Sequence, residues 1–163
     1  MREEFEKAIK ADPKFALTYL AYFLHYQYRD VNLAKENLDK YVANSDKDCN
    51  SDYYVADYLY RAGKYNESLD KAKAMGAGDC KDFPRLNILY AYNYDKLNDA
   101  SNAKIYLDKY FAMMQPDKIL PADYEFAAKF YAKTAGSEMD AINYYLFGKK
   151  FRIGCYFSSI IYK

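Results

Sequence analysis

The chain has little of what catalysis and metal binding require. It contains a single histidine, His25, so no imidazole pair can hold zinc, and a triad or dyad would have to use that one residue. His25 lies between Leu24 and Tyr26 on an apolar stretch of helical pattern, the setting of a groove or core residue rather than a base. No Gly-x-Ser-x-Gly, phosphate loop or dinucleotide fingerprint occurs. Gly76-Ala77-Gly78 lacks the third glycine and a preceding strand, and reads as a turn. Asp46, Asp48 and Asp52 crowd one link without the order of a calcium loop or its bidentate glutamate, and read as a solvated connection. No enzyme activity, metal or cofactor is expected.

Other absences narrow the class further. The three cysteines, Cys49, Cys80 and Cys155, are far apart and form no Cys-x-x-Cys. Cys49 and Cys80 both fall in links between helical segments, where a disulfide is conceivable; free thiols in a reducing compartment are the expectation. Lys and Arg number 24 against 23 Asp and Glu, a net charge of +1 with no long like-charged run, which excludes the dense phosphate neutralisation of non-specific nucleic-acid binding. The longest apolar stretch, Phe15 to Leu24, is too short to span a bilayer, so direct membrane insertion is not expected. Met1 to Lys10 is charged and helical in pattern, unlike a signal peptide. Tryptophan is absent while tyrosine reaches 21, and 52% hydrophobic residues over 163 positions are enough for a sizeable core in one elongated domain.

What is present is a repeat. Ala21, Ala56 and Ala91 stand 35 residues apart, and Ala127 follows after 36. A second comb, Ala34, Ser68, Ala103 and Ala141, trails the first by 12 to 14 residues. A period of this length holds two helices and two turns, a hairpin that cannot bury its apolar face alone and must stack on its neighbours. Two small residues per unit let two helix axes cross closely, near the short end of the usual range of about 8–10 Å. The motif Ala-Lys-x-x-Leu-Asp-Lys-Tyr occurs at Ala34 to Tyr41 and again, two units later, at Ala103 to Tyr110.

Tyr53 to Met75, with Val55-Ala56 in mid helix, Leu59 one turn on, Gly63 at the bend, Tyr65 entering the second helix and small residues at Ser68 and Ala72, resembles the tetratricopeptide repeat family. The opening is similar to the end of such a unit, with Phe5 and Ala8 as the packing pair and Asp12-Pro13 as the exit. The resemblance covers roughly residues 1–150 and departs from the pattern at Leu17, Asp52, Asn87 and Asp123, where a large aromatic is expected early in the first helix. It implies an all-α fold, a right-handed α-solenoid of stacked antiparallel hairpins. The units are a partial one over 1–12, then 13–48, 49–83, 84–120 and 121–150.

Helices are expected over 2–10, 14–28, 31–43, 51–62, 65–75, 84–97, 100–114, 121–134 and 137–149. Gly63 and Asn98 suit left-handed positions at helix ends, and Asp30, Asp99 and Ser137 suit N-caps. The last segment, Phe151 to Lys163, alternates apolar with other residues in a strand-like period and is expected to fold over the last hairpin or to be a tail.

Tyr41, Tyr65, Tyr90, Tyr106, Tyr110 and Tyr144 fall on the packing stripes. The family resemblance implies that the first helix of each unit lines an inner, ligand-facing wall. The matching positions are Thr18, Tyr22, His25 and Tyr26; Tyr53, Asp57, Tyr60 and Arg61; Ile88, Tyr92, Asp95 and Lys96; and Tyr124, Ala128, Tyr131 and Ala132, with Asn50 and Arg85 at the helix starts. From these, Tyr22, His25, Tyr26, Tyr53, Asp57, Tyr60, Arg61, Arg85, Tyr92, Lys96 and Tyr131 are the candidate groove residues. Tyrosine offers broad contact area at low entropy cost, and Arg61, Arg85 and Lys96 could pair with acidic groups.

The expectation is a non-enzymatic scaffold for a peptide or protein segment. The alternatives are self-association through the repeat ends or the last segment, and glycan contact as in an envelope protein. Lysine-, tyrosine- and asparagine-rich usage points to an AT-rich bacterial genome. The compartment is cytoplasmic by default, or periplasmic for a piece of an exported protein.

Overall fold

The two combs of small residues meet in space. Ser68 Oγ donates to the carbonyl of Ala56 at 2.8 Å, and Ala34, Ala56, Ala91, Ala103 and Ala127 are all buried where the helices of one hairpin cross. A computed structural model of the chain describes residues 1–46, 48–134 and 139–148. It contains α1 (Arg2–Ala11), α2 (Ala16–Tyr26), α3 (Val31–Asn44), α4 (Cys49–Arg61), α5 (Tyr65–Ala77), α6 (Leu86–Lys96), α7 (Ala100–Met113), a single 3-10 turn (Pro116–Lys118) and α8 (Pro121–Ala132). A further helical segment, α9, runs over 139–148, and no strand occurs among the described residues. The hairpins are α2 with α3, α4 with α5 and α6 with α7; α3 packs on α4 and α5 on α6, so each pair covers the apolar face of the one before. The spans agree with the expected helices to within a few residues at each end. The cap expected at Ser137 and the segment Phe151 to Lys163 lie outside the described residues.

Local chemistry explains where the helices start and stop. Asp30 accepts from the N–H of Leu33 at 3.0 Å, Asp99 from that of Asn102 at 3.1 Å, and Asp48 from that of Ser51 at 2.8 Å, each satisfying one orphan donor of a first turn. Among the described residues, Gly63 (φ 78°) and Asn98 (φ 61°) alone adopt a left-handed backbone, and both close the first helix of a hairpin. Gly76 is required for another reason. A Cβ there would come within 2.5 Å of Tyr90 Oη, the hydroxyl that donates to the carbonyl of Ala72 at 2.8 Å and ties α6 to α5.

The core runs along the stack in three connected pieces. Tyr19, Phe23, Leu38 and Tyr41 fill the first, Leu69, Met75, Leu86 and Leu89 the second, and Ile88, Leu107, Tyr110 and Phe130 the third. Tyr54, Tyr94 and Tyr106 sit at the seams between pieces, which is why the chain uses so much tyrosine: the ring packs while its hydroxyl reaches the edge.

Two expectations are corrected. Ala21 is exposed, in a groove of about 390 Å³ beside Phe5, Ala8 and Leu17. The first unit is one residue shorter, since Ala34 precedes Ser68 by 34, so Tyr19 and Tyr22, each 34 before Tyr53 and Ala56, turn inward in its place. Among the described residues the short α1 packs on this side of α2, and a large ring fits where later units need alanine; Tyr22 stacks on Phe5 with centroids 4.7 Å apart. The second correction concerns Cys49 and Cys80, expected as free thiols, which form a disulfide with Cα atoms 5.4 Å apart. Stacking α4, α5 and α6 brings the start of α4 beside the link after α5, two places that sequence separation alone does not show to be neighbours.

Overpacking separates the two kinds of alanine. Ala56→Leu and Ala91→Leu are expected to cost about 1–3 kcal/mol each in urea denaturation, and Ala21→Leu less than about 0.5 kcal/mol. Equal losses at all three positions would refute this assignment of the helix crossings.

Candidate binding face

The most tightly organised polar site joins three hairpins. Arg85, the residue before α6, donates from Nη1 and Nη2 to the Asp123 carboxylate of α8 at 2.9 and 3.0 Å, and from Nε to Tyr53 Oη of α4 at 3.1 Å. Tyr92 Oη and Tyr110 Oη also donate to Asp123, at 2.5 and 2.7 Å, and the N–H of Leu120 completes the set at 3.2 Å. Asp123 is 1% exposed. A bare carboxylate at that depth would be costly, and here five donors, two of them on one cation, replace the lost water. Burial, the largest single influence, would lower the Arg85 pKa, but the hydrogen bonds and charge of Asp123 together with the contacts to Tyr53 outweigh it and raise the pKa, so the guanidinium stays charged. Burial, with the Asp123 charge beside them, pushes the Tyr92 and Tyr110 phenols well up, and both remain neutral donors.

In front of this hub lies a row of half-buried rings. Tyr60 of α4 stacks on Tyr92 of α6 with centroids 5.5 Å apart, and Tyr92 meets Phe126 of α8 edge to face at 4.5 Å. Tyr65 flanks Tyr60 at 5.6 Å. Beside the row, Arg61 donates to the buried Asp57 at 2.7 and 3.2 Å and lies 4.5 Å above the exposed ring of Tyr28. Asp95 and the exposed Lys133 approach to 3.9 Å, and Lys96 is exposed.

The sequence-based candidates divide accordingly. Tyr53, Arg85 and Tyr92 belong to the hub, Tyr60 lies in the ring row with Arg61 and Asp57 beside it, and Lys96 is exposed on α6 one turn after Tyr92. Tyr22, Tyr53, Asp57 and Tyr131 were expected on an exposed strip and are instead 2–6% exposed, and Ile88 and Tyr124 are likewise buried. Neighbouring helices cover them because successive hairpins pack closer than a one-helix pattern can reveal. Tyr22, His25 and Tyr26 form a separate ring cluster with Phe5 at the first end. His25 Nε2 lies 3.2 Å from Arg29 Nη1. Tyr131 donates to Asp108 of α7 and stacks on Tyr144 at 5.4 Å. Arg85, expected to face an acidic ligand, is satisfied internally by Asp123.

Asp123, Tyr28, Tyr110 and Phe126 were not among the expected site residues. Asp123 carried a signal, an ionisable residue where the repeat pattern calls for a large aromatic. Asp52, at the same place two units earlier, likewise accepts from Lys71 at 2.5 Å. Among the described residues no group of His, Cys, Asp and Glu is placed to hold a metal ion, and no helix is long and apolar enough to cross a membrane.

No family model and no curated protein matches the chain. Solved structures do. PilW, a widely conserved type IV pilus biogenesis factor, superposes with a TM-score of 0.68 at 23% identity, over 91% of this chain and 67% of that one. MamA superposes with a TM-score of 0.55 at 18% identity, over 90% of this chain and 83% of that one. Both are tetratricopeptide-repeat proteins, and the likeness defines the fold of this chain as a helical solenoid of that type.

Removing the hub anion strands its cation. Asp123→Ala is expected to destabilise the chain by about 3 kcal/mol, the lower end for a broken buried pair because the Arg85 side chain keeps 23% exposure. Calorimetry showing a loss under about 1 kcal/mol would refute the hub. Alkali provides a second test. Burial pushes Tyr60 and Tyr144 up to about 12, against about 10 for unfolded tyrosine. Between those values the unfolded chain has released protons that the folded chain still holds, so stability is full below pH 10 and falls as pH rises toward 12. A urea midpoint that stays flat across that window would contradict it.

Proposed function

We propose that this chain is a non-enzymatic interaction scaffold that holds a peptide or protein segment across the ring row of Tyr60, Tyr92 and Phe126. The observation that carries the reading is a half-buried aromatic row, contributed by three consecutive hairpins, backed by a polar hub that holds those hairpins in register. Rings fixed in this way lose little entropy on contact, and their faces and edges accommodate apolar side chains of an extended segment. Arg85 and Arg61 are already matched by Asp123 and Asp57, so they orient the row and leave the exposed Lys96 and Lys133 as the cations for an acidic side chain of the ligand. The fold shared with PilW and MamA supports a scaffold role.

A second reading has its own observation. Large apolar side chains stand exposed at both ends of the stack, with Phe15 and Leu17 at one and Ile142 and Leu146 at the other. The second end also carries a groove of about 480 Å³ lined by Pro121, Ala128 and Ile142. Self-association through these ends would hide them. Light scattering of the intact chain and of Ile142→Asp decides it: a concentration-dependent mass lost in the variant supports assembly.

The groove reading is tested with an extended peptide selected from a random library. Tyr60→Ala is expected to weaken its binding about 30-fold, the scale of an aromatic hot spot, and Lys96→Ala by less. Unchanged affinity in both variants would remove this face from consideration.

A further inference from the structure

The Cys49–Cys80 disulfide lies where opening it would loosen the hub. Cys49 is the first residue of α4 and Cys80 belongs to the link between α5 and α6. Both are half-buried and line a groove of about 280 Å³ with Asp52, Lys71 and Gly78, so a small thiol can approach the sulfur atoms. The link is tied to α4 at three points. One is the disulfide, the second the Phe83 ring 5.2 Å from that of Tyr53, and the third the Arg85 Nε bond to Tyr53 Oη. Cys49 and Tyr53 are one helical turn apart, so all three fall on the same side of α4. Otherwise the link is held by its own short turns, from the N–H of Lys81 to the carbonyl of Gly78 and from that of Phe83 to that of Cys80. It leads directly into Arg85, which grips Asp123 two helices further on.

We propose that this disulfide is a redox latch on the binding face, closed in an oxidising compartment and opened by a dithiol reductant. The proposal rests on the reading above for its consequence, though not for its mechanism. One thiolate of the reductant attacks Cys80 Sγ and the sulfur–sulfur bond breaks, leaving its electron pair on Cys49 Sγ. The reductant's second thiol then displaces Cys80, so the reductant becomes a disulfide and the two cysteines take up two protons. Cys49 is the better leaving group because the α4 N-terminus favours a thiolate. With the latch open, Tyr53 alone ties the link to α4. Arg85 gains freedom, and with it the hold on Asp123 and Tyr92 of the ring row. The closed latch also places the working chain outside a glutathione-reduced compartment.

Hydrogen exchange of the full chain, without ligand, before and after dithiothreitol tests the latch. The air-oxidised chain has three cysteines, and with two of them joined it should titrate one thiol after denaturation and three after reduction. Reduction should speed exchange over residues 79–90 by about tenfold or more and leave α2 and α3 unchanged. The double variant Cys49→Ser with Cys80→Ser should exchange fast with or without reductant. Three free thiols in the oxidised chain, or unchanged exchange after reduction, would overturn the proposal. So would global loss of helical circular dichroism, which would make the bond a staple of the whole fold. Because exchange is read without a peptide, the latch stands or falls independently of the ring row as a binding surface.

Discussion

A single carboxylate holds the order of this stack. Asp123 is buried in α8, receives a guanidinium from the start of α6 and two phenols from α6 and α7, and through Arg85 it reaches Tyr53 of α4. Apolar contacts between hairpins set how close they lie but allow sliding and rotation, because the hydrophobic effect has no direction. A fork of N–H groups on a buried carboxylate does not allow it, since a small rotation would leave a charge without its partners. The hub therefore supplies the angular specificity that the small-residue crossings lack, and the ring row in front inherits it through Tyr92.

Elsewhere the same division of labour recurs on a smaller scale. In the α4–α5 hairpin the small residues Ala56 and Ser68 fix the closest approach, and the Ser68 bond to the Ala56 carbonyl fixes the rotation; Asn93 of α6 donates to Ser68 Oγ at 2.9 Å and ties the next hairpin to it. Asp57 with Arg61, and Asp52 with Lys71, repeat the pairing of an acid on the first helix with a nearby base. Surface pairs such as Lys35 with Asp39 add little, being solvated and screened. At the first end Phe5, Tyr22, His25 and Tyr26 pack as a set of rings.

Repeat arrays stay rigid only as far as neighbouring units are coupled, because each unit contacts little beyond the next. The link between α5 and α6 is where this chain has a covalent bond and, five residues later, the guanidinium that grips Asp123. A change at the sulfur atoms and a change at the ring row are thus separated by one short segment of backbone. Exposed apolar side chains stand at both ends, among them Phe15, Leu17, Ile142 and Leu146.

The amino-acid order alone determined the helices and their pairing. Ala56, Ala91 and Ala127, and with them Ala34, Ser68 and Ala103, mark the crossings because small size is a local, unambiguous requirement. Gly63 and Asn98 mark the bends because few residues tolerate a left-handed backbone. Helical register in the first hairpin was harder to read, since one residue fewer in a connection rotates a whole helix and turned Tyr22 inward in place of Ala21. Tertiary structure decided what depends on contacts between residues far apart in the chain. It joined Cys49 to Cys80, gave Arg85 to Asp123 in place of a ligand, and left Tyr60, Tyr92 and Phe126 in one row while burying Tyr53 and Tyr131. Periodicity records which side of a helix is apolar, but only the packed neighbours fix how deep each side chain lies and which charge it meets.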